Sequence, residues 1–174
     1  MLPADLLKKV TPAIAAFLDY TATKAGVYED PPGSNRSPDL DEWAKEFGAP
    51  LGSYWCALMV GHTRKKHGLW VPPRRELVAS CDEWYRAAKL AGILTSTPVP
   101  GAAVLYTNGK TLTDERYKGQ PDINHIGTIL RVTPALLSWE GNTTLGKYDR
   151  NGVTLALKNV ELARVAGYVL PYQK

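Results

Sequence analysis

Two cysteines, Cys56 and Cys81, and three histidines, His62, His67 and His125, are the side chains of this sequence best suited to nucleophilic chemistry near neutral pH. The reactive form of cysteine is the thiolate, and a helix N-terminus favours it because free backbone N–H groups and the helix dipole stabilise negative charge. Cys56 follows Gly52-Ser53-Tyr54-Trp55 at the predicted start of a helix, where N–H groups also stand available for an oxyanion. Cys81 also lies at a predicted helix start, but Asp82 and Glu83 follow it directly, and their negative charge opposes thiolate formation. Cys81 therefore reads as a partly buried structural thiol, with a role as nucleophile the alternative. The two cysteines could instead form one disulfide, which would have to be absent if Cys56 is catalytic.

Helix geometry selects the base. His62 lies six residues beyond Cys56 on the same helix and projects about 240° away; His67 returns to that face about 16 Å farther along. Neither reaches the thiol, which leaves His125, at the start of a β segment, to accept its proton. A catalytic imidazole needs an orienting partner, and either Glu140 or Asn142 can supply one from the next strand. Spaced i and i+2, both point to the same face of an extended strand while Trp139 points to the other. Taken singly, each of these residues has a structural reading: a cysteine as packing, a strand histidine as a satisfied polar group, Glu-Gly-Asn as a turn.

The elements that must position these residues fall into two halves. Thr11-Pro12 and Ser37-Pro38 read as helix starts, with Gly26 and Gly48 after the corresponding ends. A third helix runs from about Trp55 to His67 and stops at Gly68. A fourth opens on the capping box Ser80-Cys81-Asp82-Glu83 and ends at Gly92. Between the first two helices, 29–36 reads as an ordered surface loop rich in proline, glycine and small polar residues. The period then changes: 102–107, 125–132, 136–140, 152–160 and 165–170 are rich in β-branched, leucine and tyrosine residues and separated by turn residues. The turn at Thr133-Pro134 makes the second and third of these antiparallel neighbours. Helices followed by strands indicate an α+β domain with the helices on one side of an antiparallel sheet. The segment 108–124 reads as a long loop leading into His125, either solvated or lining a cleft.

Length and composition fit one domain: 174 residues, 44% hydrophobic and 22% charged. The net charge of +4, spread without a stripe, falls short of a nucleic-acid footprint. No apolar run approaches the roughly 20 residues of a membrane span. Lys8 and Lys9 precede a short apolar stretch, but Pro12 interrupts it and Asp5 and Asp19 flank it, so residues 1–27 are expected to be a helical segment and not a secretory signal.

Tyr54-Trp55-Cys56-Ala57, Asn124-His125-Ile126-Gly127 and Trp139-Glu140-Gly141-Asn142-Thr143 resemble, in that order, the CHAP family of cysteine, histidine-dependent amidohydrolases and peptidases. Pro32-Gly33-Ser34-Asn35-Arg36-Ser37-Pro38 is similar to the segment before the nucleophile helix in phage-type members, and Pro100-Gly101-Ala102-Ala103-Val104 to their first-strand approach, so the resemblance spans about 28–170. It implies a papain-like fold; as a departure from modular lysins no added wall-binding repeat is seen, and 1–174 is expected to be a single catalytic domain. The implied reaction is hydrolysis of an amide bond in peptidoglycan, in the stem peptide or its link to muramic acid, through a thioester. By position Cys56 attacks, His125 moves the proton, Glu140 orients the imidazole and Asn142 supports the site. Tyr54 and Trp55 are candidates for lining the cleft or polarising the oxyanion, with core packing as the alternative. Trp55, Trp70 and Tyr148 are also candidates for stacking on sugar rings.

The Asp-rich calcium loop of some CHAP endolysins has no counterpart near Cys56; Asp39 and Asp41 read as helix-start acids, and no metal or cofactor is expected. The expected partner is bacterial peptidoglycan, met by a monomer made in a bacterial cytoplasm and acting on the wall. The enzyme is expected to be endolysin-like; alternatives are a bacteriolytic toxin or effector, an acyltransferase on the same scaffold, or a wall-binding or virion module that keeps the fold without turnover.

Overall fold

Helix boundaries follow the capping chemistry of the sequence. In the computed structural model, which describes residues 11–144 and 152–173, the Thr11 hydroxyl accepts from the Ile14 N–H to open α1 (Pro12–Thr23). Ser37 does the same for Leu40 at α2 (Pro38–Phe47), and Ser80 for Glu83 at α4 (Cys81–Leu90). Gly48, in the left-handed conformation at φ 68°, ends α2. The helix carrying the first cysteine, α3 (Cys56–Lys66), has Trp55 as its N-cap and no side-chain cap bond. Of the capping box at Ser80, only the serine half forms; the Glu83 carboxylate turns instead to Arg86 and Arg116, both at 3.3 Å.

Six strands follow: β1 (Leu94–Thr95), β2 (Ala103–Thr111), β3 (Pro121–Arg131), β4 (Leu137–Thr143), β5 (Thr154–Asn159) and β6 (Val165–Val169). They form one antiparallel sheet in the order β1-β6-β2-β3-β4-β5, so the fold is mixed α+β, as expected. The two-residue edge strand β1 is too short to carry a periodic signal. The larger difference lies at 108–124. Part of this segment is strand: 108–111 belong to β2 and 121–124 to β3, Thr111 pairs with Pro121, the Asn108 amide donates to Asp122 at 2.6 Å, and 112–120 form the hairpin tip. The β2 end is exposed and polar, and the β3 end carries a single buried apolar residue, Ile123, among partly buried Pro121, Asp122 and Asn124, so neither shows the apolar alternation that marks a half-buried strand. Lys8, Lys9 and Tyr148, singled out in the sequence, lie outside the described residues.

Apolar side chains of α2, α3 and α4 join Ala103, Leu105, Ile126, Leu155 and Val169 in the main core. Neighbouring strand positions Val104, Tyr106, Ile129 and Tyr168 build a smaller cluster with Val99 and Ala102. α3 and α4 lie directly on the sheet, and α1 and α2 brace α3. Trp43, Trp55 and Trp84 are almost wholly buried, each side chain contributing about 2–3 kcal/mol through burial. No helix among the described residues is long and apolar enough to cross a membrane.

The far end of α3 is fixed by an unusual group. Arg64 has no exposed surface and donates to three backbone carbonyls, Trp70 at 3.2 Å, Gly101 at 3.3 Å and Val169 at 3.0 Å, while its guanidinium lies over the Trp84 ring. Burial lowers its pKa to about 9, which still leaves it charged at neutral pH. One side chain thus ties the nucleophile helix to β6 and to the start of β2. Arg64→Met keeps the aliphatic length but strands these buried carbonyls; it is expected to cost about 3 kcal/mol in chemical denaturation.

Candidate active site

Cys56 is the first residue of α3, with only 3% of its surface exposed. Its sulfur lies 3.7 Å from that of Cys81, and both cysteines are free thiols. The Cys56 thiol is held well below its ordinary pKa, first by the hydrogen bond with Cys81, then by a hydrogen bond and charge interaction with His125 and by the Ala57 N–H; burial opposes these effects and is outweighed. His62 and His67 stand elsewhere, packed near Tyr20, with His62 bonded to Tyr20 and Glu46.

His125 is brought to the thiol by β3. It pairs across the sheet with Tyr106, whose ring stacks on the imidazole at 5.8 Å between centroids. Just before it, the register jumps from Tyr106↔His125 to Thr107↔Ile123, leaving Asn124 as an extra residue; such a bulge turns the strand and re-aims its side chains. Imidazole Nε2 lies 3.2 Å from Glu140 Oε2, so Nδ1 is the ring nitrogen left to serve the thiol. The other carboxylate oxygen, Oε1, accepts from the Tyr106 and Ser138 hydroxyls, each at 2.7 Å. Burial alone would lower the His125 pKa, but hydrogen bonds and charge from Cys56 and Glu140 reverse that effect and raise it to about 9. Burial pushes the fully enclosed Glu140 carboxyl up; bonds to His125, Tyr106 and Ser138, with the imidazolium charge, bring it below its ordinary value. The favoured state is a thiolate–imidazolium pair steadied by a carboxylate.

Gly127 lets Glu140 reach this position. A Cβ there would stand 2.8 Å from Glu140 Cγ and 2.9 Å from the Trp139 carbonyl, closer than real Cβ atoms come. Gly141 plays the matching part for the nucleophile's N-cap, because a Cβ would strike the Trp55 ring at 2.6 Å.

Asn142 is not bonded to His125, although strand alternation had placed it beside Glu140. The β4–β5 register shifts between Glu140↔Ala156 and Thr143↔Thr154, and Asn142 takes the left-handed conformation at φ 54°, which breaks the alternation. Its buried amide donates to Asn35 Oδ1 at 3.2 Å, while its own Oδ1 has no hydrogen-bond partner among the described residues. Asn142 therefore ties the site to the 29–36 loop. Glu29 completes that link: its buried carboxylate accepts from the Trp55 indole at 2.9 Å and from the Asn35 N–H at 3.1 Å. This burial has no local signal, since a carboxylate in a surface loop of prolines and glycine reads as solvated.

Trp55 and Trp70 are buried and cannot offer faces to a sugar; Trp55 is core, and its place is set by Glu29 and Gly141. Tyr54, by contrast, is 46% exposed next to the nucleophile. Asp41 forms a two-pronged pair with Arg36, and Asp39 pairs with Lys24 at 3.5 Å. Among the described residues no three histidine, cysteine, aspartate or glutamate side chains are grouped to hold a metal.

The arrangement can deliver a sulfur nucleophile to an electrophilic carbon and then a proton from the imidazolium. Glu140→Gln keeps the shape but removes the charge that holds the proton on His125. The imidazole titration, followed by NMR, is expected to fall from about 9 by at least about one pH unit.

No protein-family model, curated protein or solved structure matches this chain.

Proposed function

We propose that the protein is a cysteine amidohydrolase or peptidase that cleaves amide bonds of bacterial peptidoglycan. The observation carrying this reading is the buried series Cys56, His125 and Glu140, with the sulfur at the start of α3 and the imidazole held at Nε2. The order of the motifs around these residues, which resembles the CHAP family, supports the substrate class and a papain-like reading of the fold.

In the proposed reaction the Cys56 thiolate attacks the amide carbonyl carbon. The carbonyl π electrons move to oxygen, where the N–H groups at the uncapped start of α3 are suited to receive the negative charge. As the tetrahedral intermediate collapses, the C–N bond breaks, the imidazolium of His125 gives its proton to the departing amine, and a thioester remains. Neutral His125 then takes a proton from water as the oxygen attacks the thioester. Collapse releases the carboxylic acid and restores the thiolate and imidazolium. Glu140 keeps the ring oriented and balances its charge throughout, while Tyr54 is the side chain proposed to meet substrate at the mouth of the site.

The pH profile should be bell-shaped. Activity rises as Cys56 loses its proton, below the ordinary thiol range because its pKa is lowered, and falls as His125 loses its proton around 9. Measuring kcat/KM against pH on a soluble peptide fragment of the wall checks both limbs; Glu140→Gln should move the alkaline limb downward.

Purified peptidoglycan treated with the parent protein should yield soluble muropeptides with new carboxyl and amino termini by mass spectrometry. Cys56→Ala should release none, and Glu140→Gln should lower kcat about 10²- to 10⁴-fold. Amine-extended or crosslinked products in place of free acids would make the protein an acyltransferase. Wall binding that is identical in the parent and Cys56→Ala, with no products from either, would make it a binding module.

A further inference from the structure

Cys81 is not needed for the proton transfer just described, yet its sulfur stands beside that of the nucleophile. Two helices, α3 and α4, begin at one place with a cysteine as the first residue of each, and the two sulfurs stand 3.7 Å apart. That separation suits a hydrogen bond between sulfurs and exceeds a covalent S–S bond by far.

The surroundings of the two thiols decide which of them keeps its proton. The first turn of α3 holds no acidic residue, and His125 on β3 faces Cys56 as a base. The first turn of α4 holds Asp82 and Glu83. Negative charge so near opposes ionisation of Cys81, although Arg86 and Arg116 temper Glu83 from 3.3 Å. Charge therefore favours Cys81 as the donor of the S–H and Cys56 as its acceptor.

The position of Cys81 is fixed by the strand that also carries the base. Asp82 Oδ1 accepts from the Ile123 N–H at 2.8 Å, two residues before His125, and the Gln120 amide donates to the Asp82 carbonyl at 3.2 Å. Arg116 on the hairpin tip clasps Glu83, and Ser80 caps the helix. The hairpin expected from sequence to be a loose loop therefore locks the start of α4 against β3. The acceptor, the base and the second thiol share one frame.

We propose that Cys81 is a positioning residue of the active site, whose S–H donates a hydrogen bond to the Cys56 thiolate and holds it toward His125. This rests on Cys56 being the nucleophile of the proposed reaction, but it does not depend on which bond is cleaved. The lowered Cys56 pKa agrees with it.

The test compares Cys81→Ser, which keeps a donor of similar size, with Cys81→Ala and Cys81→Val, which have none. The rate of iodoacetamide alkylation at Cys56 is followed against pH by mass spectrometry of its peptide, and thermal melting checks folding. The pH midpoint is expected to rise by about one unit in the alanine and valine variants, cutting alkylation about tenfold at mildly acidic pH, while serine stays near the parent. Superimposed profiles for parent and alanine, or equal shifts for serine, alanine and valine, would overturn the proposal and leave Cys81 as packing. Because this titration needs no substrate, its outcome is separate from that of the peptidoglycan assay. Failure of wall cleavage beside a donor-dependent titration would reject the substrate and not the sulfur pair.

Discussion

A carboxylate without exposed surface is costly to bury unless hydrogen bonds and a neighbouring charge replace the water it has lost. At Glu140 the replacement comes from His125 on one oxygen and from Tyr106 and Ser138 on the other. Three strands must be in register for this to happen, since Tyr106 stands on β2, His125 on β3 and Glu140 with Ser138 on β4. The bulge at Asn124 and the missing side chain at Gly127 are the local departures from regular sheet that the arrangement requires. The proton on His125 is held by the sulfur and by this carboxylate together.

The sulfur is supported in a complementary way. Its helix is fastened at the far end by Arg64 across to β6 and β2, and at the near end by the Trp55 indole on Glu29. The 29–36 loop reaches the far side of the site through Asn35 and Asn142, both in the left-handed conformation. Helix and sheet are therefore joined by polar bonds at their ends and by apolar packing between them. Polar anchors carry geometry that apolar burial, being non-directional, does not specify.

Helix boundaries were legible because Thr11, Ser37 and Ser80 announce caps and Gly48 announces a stop, all short-range signals. Cys56, His125 and Glu140 were legible because helix-start chemistry, elimination of the other histidines and motif order converge on them. The direction of Asn142 was not, since a bulge created by pairing with β5 overrides period-two alternation. The burial of Glu29 and the meeting of Cys56 with Cys81 depend on contacts across 26 and 25 residues, which no local pattern encodes. The hairpin at 108–124 escaped for the opposite reason: its β2 end is polar and exposed, and its β3 end offers a single buried apolar residue, Ile123, too little to show alternation.

Gly127 and Gly141 have a consequence for divergence. Gly127 faces the Trp139 backbone carbonyl as well as Glu140 Cγ, whereas Gly141 faces chiefly the Trp55 ring. Position 127 should therefore stay glycine whatever stands at 140, because a backbone carbonyl cannot shorten, whereas position 141 can take a larger residue where position 55 has shortened. In descendants or relatives of this chain positions 141 and 55 would drift as a couple, so a sequence that has lost Gly127, or has lost Gly141 while keeping a bulky residue at 55, would mark a lineage in which this site no longer forms.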